Sequence, residues 1–127
     1  MINAIKEDSS LLKAFIDLYS MVLQGHRLLG LPVESTCVTL TNLANLYLEC
    51  GILSEANYYA TMVLNLKIRV FGDEAPEVAR AHYLLGLTLL NSDKKQARIC
   101  FDTANKIATK INDLRLLFAI KHIIQRL

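Results

Sequence analysis

Hydrophobic residues along the chain recur with the period of a helix, not of a strand. Leu40, Leu43, Ala44, Leu46 and Tyr47 follow the i, i+3, i+4, i+7 spacing of one amphipathic helix. Gly51 is placed to stop it in the left-handed conformation, and Ser54 is placed to cap the next helix. That helix brings Ala56, Tyr59, Val63 and Leu66 to one face and ends at Gly72. Pro76 suits the first turn of a following helix, where a missing N–H costs nothing. Glu74 and Glu77 sit beside that positive helix end.

The pattern repeats. Shifted by 42 positions, Ala14 falls on Ala56, Val22 on Leu64, Leu29 on Phe71 and Gly30 on Gly72. Leu43-Ala44 falls on Leu85-Gly86 at the same shift. Past Leu90 the shift becomes 41, and Ala56 meets Ala97 while Ala60 meets Phe101. A one-residue deletion in a turn between helices is well tolerated. Pro32 follows its glycine by two residues and Pro76 by four, so the punctuation is repeated only in part. Small residues at Ala44, Gly86, Ala56, Ala97 and Ala104 mark where two helices approach closely.

The expected organisation is all-α within a single domain, 1–127, of about six helices. Residues 8–29 form the second helix of a partial repeat, complete hairpins follow at 35–71 and 76–111, and a terminal helix covers 113–126 after Asn112-Asp113. Leu40, Leu43-Ala44, Tyr47, Gly51, Ala56 and Pro76 in one unit, with Leu85-Gly86, Ala97, Phe101 and Ala104 in the next, resemble the tetratricopeptide repeat. The long second helix ending in FGDEAPEVA, with TLTNLANLY before it, is similar to the kinesin-light-chain type of that repeat. His82 stands where the family has Leu or Trp, Leu89 replaces its Tyr and Ala60 its aromatic. The resemblance implies a superhelical array of antiparallel helix hairpins, an α-solenoid.

Composition narrows the function. The chain is 53% hydrophobic and 20% charged with two prolines, which excludes disorder. Its net charge of +2 comes from scattered basic residues with no stripe for nucleic acid. Cys37, Cys50 and Cys100 are odd in number and lack Cys-X-X-Cys spacing, so neither a disulfide framework nor zinc is expected. Free thiols fit a reducing compartment, and no apolar run suggests a membrane span or leader, so the expected location is cytoplasmic.

His26, His82 and His122 lie on three different helices without a carboxylate at i+4. No HExxH, phosphate loop or Gly-X-Ser-X-Gly occurs. No catalytic, cofactor or metal site is expected, and the chain reads as a non-enzyme. What the resemblance implies is a concave surface, lined by the first helices of the hairpins, that binds a peptide or helix of a partner protein. Carried over residue by residue, it points to Asn42 and Asn45 on one helix and Arg80, Tyr83 and Leu87 on another. An Asn amide offers both a donor and an acceptor to an extended backbone, or else solvates its own helix. Thr41 and Leu84 stand where the family's carboxylate clamp would need basic residues, so a full clamp is not expected.

The terminal helix has one broad apolar stripe, Leu116, Leu117, Ile120, Ile123, Ile124 and Leu127, within an arc of about 120°. Leu114 and Phe118 fall on the opposite side and read as assembly contacts. Helix 8–29 is likewise apolar on most of its surface, with Leu11, Phe15, Leu18 and Val22. The chain is therefore expected to be either part of a longer array or a homo-oligomer. The two functional readings are an adaptor that scaffolds a larger complex through its groove, and a structural domain that assembles through its terminal helices.

Overall fold

The computed structural model describes residues 9–30 and 33–127, and every regular element among them is helical. Six helices follow in order: α1 (Ser9–Leu29), α2 (Val33–Cys50), α3 (Leu53–Phe71), α4 (Pro76–Leu89), α5 (Lys94–Ile111) and α6 (Leu114–Ile124). The chain divides into two compact units, Met1–Val63 and Leu64–Leu127, with the boundary inside α3. Pro32 lies outside the described residues, as does the first residue of the expected 8–29 helix.

In the first unit α1 packs on α2. The core is built from Leu23, Cys37, Leu40, Leu43 and Ala44, with Ala56, Ala60 and Val63 from α3. Tyr47 and Tyr59 stack face to face, with ring centroids 5.7 Å apart. The α2–α3 turn is tight because Gly51 takes φ +77, a conformation that strains any other residue. Its N–H bonds to the Leu48 carbonyl at 3.1 Å, and the Ile52 N–H reaches back to Tyr47 at 2.9 Å. This pair of bonds satisfies the Tyr47 and Leu48 carbonyls in the last turn of α2.

Ser54 does not cap α3. The helix already begins at Leu53, and the Ile52 carbonyl accepts its first bond, from Ala56 N–H at 3.2 Å. Ile52 thus closes α2 and opens α3 at once, which leaves Ser54 inside the first turn. The Ser54 hydroxyl donates instead to Glu55 Oε2 at 2.7 Å.

In the second unit α5 packs on α4 and α6 packs on α5. Gly72, at φ +86, ends α3 by donating to the Ile68 carbonyl at 2.8 Å. Pro76 occupies the first turn of α4, with Ala75 extended before it. Asp93 caps α5 by accepting from Gln96 N–H at 3.1 Å. Asn112 is the one non-glycine with positive φ among the described residues, at 57°. It stops α5, and Asp113 beside it caps α6 by accepting from Leu116 N–H at 3.2 Å. The Asn112-Asp113 break is therefore a stop signal and a start signal in consecutive residues.

The small residues expected at helix crossings are buried. Ala44, Ala56, Ala97 and Ala104 have no exposed surface, and the Phe101 ring is fully enclosed. A Cβ added to Gly86 would lie 2.6 Å from Phe101 Cε1, so α4 approaches α5 over a glycine because the ring fills that space. Tyr83 leans on the same ring with centroids 5.7 Å apart. On α6, Leu116 and Ile120 are buried while Leu117, Ile123 and Ile124 are half-buried, as is Leu127 beyond its end.

Burial pushes the half-buried His82 imidazole below its ordinary value. Between pH 6.5 and the depressed folded value, the unfolded chain binds more protons than the folded one. Stability from this group is thus fully present above about pH 6.5 and is lost as pH falls through the folded value. Melting curves at pH 7.5 and 5.0 should show a loss in wild type that is smaller in His82→Gln. An unchanged loss in that variant would mean other groups carry the acid sensitivity.

Candidate partner-binding cleft

Asn42 and Asn45 lie one turn apart on α2 and face the same cleft of the first unit, about 290 Å³ in volume. Phe15 and Tyr19, also one turn apart, border it from α1. Leu46 and Glu49 complete the lining. The spacing of 42, 45, 46 and 49 is the i, i+3, i+4, i+7 pattern, so one stripe of α2 supplies every polar group that helix offers here. Asn45 and Glu49 are exposed, and Asn42, Tyr19 and Leu46 are half-buried. Neither amide engages a hydrogen bond among the described residues.

The electrostatic setting of the first unit is acidic. Burial raises the Tyr47 phenol above its ordinary value, and Tyr59 and the carboxylates of Glu55 and Asp17 add to the effect. The phenol stays neutral at physiological pH. With Glu49 in the cleft itself, an acidic ligand would be repelled.

The three other expected contacts sit on α4 in the second unit. Arg80 is exposed and pairs with Asp113 at 3.6 Å, an interaction across solvent worth ~1 kcal/mol or less. Tyr83 and Leu87 are half-buried, and burial raises the Tyr83 phenol. Tyr83 spends one ring face on Phe101, so its role is at least partly to cover the core.

A larger cleft of the second unit, about 480 Å³, is lined by residues including Asp73, Glu74, Thr103, Thr109 and Lys110. Some of its polar groups are engaged, whereas the side chains of Asp73, and of Asn105 and Lys106 that also line it, hold no hydrogen bond or ion pair among the described residues. Lys110 pairs with Glu74, while the Thr103 and Thr109 hydroxyls donate to carbonyls of their own helix at 2.8 and 2.7 Å. Size alone therefore does not decide between the two clefts. Both leave polar side chains free, and the smaller one sets two amides one turn apart beside apolar residues.

Leu114 and Phe118 are strongly exposed, at 69% and 71%, and Phe118 stacks on His122 one turn along. Cys37 and Cys100 are buried and stand outside any disulfide, and burial raises the Cys100 thiol above its ordinary value. Among the described residues no group of His, Cys, Asp or Glu could hold a metal ion, and no helix is long and apolar enough to cross a membrane.

The sequence singled out Asn42 and Asn45 but not Phe15, Tyr19 or Glu49 as their neighbours. Glu49 was recoverable by extending the α2 stripe one more turn. Phe15 and Tyr19 were not, because α1 is apolar on nearly all sides and its pattern does not say which side meets α2. No family model, curated protein or solved structure matches the chain.

Proposed function

We propose that the protein is an interaction module that binds an extended, uncharged or basic segment of a partner protein and holds it in a larger assembly. The observation that carries this reading is the pair of free amides, Asn42 and Asn45, above a cleft bordered by Phe15 and Leu46. An extended backbone offers alternating N–H and C=O groups, and each Asn amide can answer both. The apolar residues accept a side chain of the bound segment, and Glu49 selects against acidic ones. The mechanism is surface complementarity with no bond made or broken, so the protein is no enzyme. Its hairpins belong to a tetratricopeptide-like superhelical array, and three cysteines outside any disulfide suit a reducing, cytoplasmic setting.

The exposed Leu114 and Phe118 favour a second reading, assembly through the terminal helix. Binding variants separate the two. Asn42→Ala with Asn45→Ala should weaken partner binding at least tenfold, with the melting temperature held within a few degrees. Truncating polar side chains that hold no hydrogen bond usually changes stability by ~0.5 kcal/mol or less. Equal binding by wild type and the double variant would remove the cleft from the account.

A further inference from the structure

The exposed face of α6 carries an apolar pair set among cations. One side of the helix packs on α5 through Leu116 and Ile120, and the other side stays open. On that open side Leu114 and Phe118 lie one turn apart, separated by about 40° at 100° per residue. Lys121 is exposed at one edge of the pair, with Arg115 and His122 exposed at the other. Arg126, also exposed, follows the helix end. The Phe118 ring lies on His122, with centroids 5.9 Å apart. Residues 114–127 include no Asp or Glu. Asp113, just before them, is engaged, since it caps α6 and pairs with Arg80. Arg115, Lys121 and Arg126 hold no ion pair among the described residues.

This arrangement defines the chemistry of an occupant. Unpaired cations around two apolar side chains are complementary to carboxylates around an apolar stripe. Arg and Lys side chains only donate, whereas an extended backbone needs acceptors as well as donors. A helix satisfies its own backbone, and its ridges pack against an i, i+4 pair such as Leu114 and Phe118. A second copy of α6 is a poor match, because it brings like charges together. An anionic bilayer has the right charge but the wrong shape. An interfacial helix inserts a broad apolar face, and here the apolar arc is about 40° wide with cations at both edges.

We infer that α6 is the docking face for an acidic amphipathic helix of a partner protein. Carboxylates of that helix meet Arg115, Lys121 and Arg126, and its apolar side chains cover Leu114 and Phe118. The inference rests on the second reading above, assembly through the terminal helix, and gives that assembly its occupant. It is separate from the α2 cleft, where Glu49 favours the opposite charge. The basic sign also extends beyond the contact. Residues 94–127 hold eight Lys or Arg against two Asp, so an acidic segment is steered in as well as held.

The test uses the intact chain and three synthetic helices with one apolar skeleton, Leu and Phe at i, i+3, i+4 and i+7, flanked by Glu, Gln or Lys. The chain has no tryptophan, so a single Trp in each peptide reports binding through its emission. The Glu peptide should bind about tenfold tighter than the Gln peptide, and the difference should shrink in about 1 M salt. The Lys peptide should not bind at up to about 300 μM. Leu114→Ser with Phe118→Ser should weaken binding of the Glu peptide about tenfold, with circular dichroism unchanged. Arg115→Gln with Lys121→Gln and Arg126→Gln should bind the Glu and Gln peptides alike, and this variant carries the test if the Ser variant is unfolded. Equal binding of the Glu and Gln peptides by wild type overturns the inference. So does no binding of the Glu peptide, or undiminished binding by a folded Ser variant. If wild type gains mass with concentration in sedimentation and ignores peptide charge, the acidic occupant is overturned while terminal-helix assembly stands, with a second copy in its place. Wild type that floats with vesicles of phosphatidylserine and phosphatidylcholine, undisturbed by the Glu peptide, assigns the face to lipid and overturns the inference as well.

Discussion

Phe101→Ala should destabilise the second unit by about 3–5 kcal/mol, the usual loss for truncating a large buried aromatic. Phe101 has no exposed surface, and its ring sits against both Gly86 and Tyr83. The same ring explains why α4 carries a glycine in mid-helix. Gly86→Ala would gain about 1 kcal/mol of helix propensity if nothing opposed it. Here the new Cβ would meet Phe101 Cε1 at 2.6 Å, and overpacking of a closed core costs ~1–3 kcal/mol. Overpacking wins, so Gly86→Ala should be net destabilising. In a Phe101→Leu background the clash is removed and the sign should reverse. Urea titrations of the four proteins in this cycle measure the coupling directly. Additive effects would mean that ring and glycine do not share the space.

Leu40→Ala should cost about 2–5 kcal/mol in the first unit, whereas Val38→Ala on the same helix should change stability by ~0.5 kcal/mol or less. Leu40 is fully buried and Val38 is 61% exposed, although only two positions separate them and both are aliphatic. The contrast tests the rotation of α2, and with it the claim that Asn42 and Asn45 face outward. Equal losses at the two positions would show that the helix is turned differently about its axis.

Much of the fold was legible because its stop signals are local. Gly51, Gly72 and Asn112 each take a left-handed conformation that few residues tolerate, and each lies where the apolar period breaks. Pro76 and Asp113 start helices through their own chemistry. Ser54 misled because its capping role depends on where α3 begins, and that was set by Ile52 closing the preceding turn. The candidate site was half legible. Asn42 and Asn45 were reached by carrying the repeat resemblance over residue by residue, while the α1 side of the cleft depends on how two surfaces choose a rotation.

The account rests most heavily on the two free amides of α2. Their side-chain NH2 groups can be observed one by one by nitrogen-15 NMR while a mixture of extended, uncharged and basic octapeptides is added. The account predicts that the Asn42 and Asn45 side-chain signals shift first and furthest, together with the backbone signals of Phe15, Tyr19, Leu46 and Glu49. It also predicts that an acidic octapeptide mixture moves none of them. Shifts confined to α6, or equal shifts with acidic peptides, would contradict it.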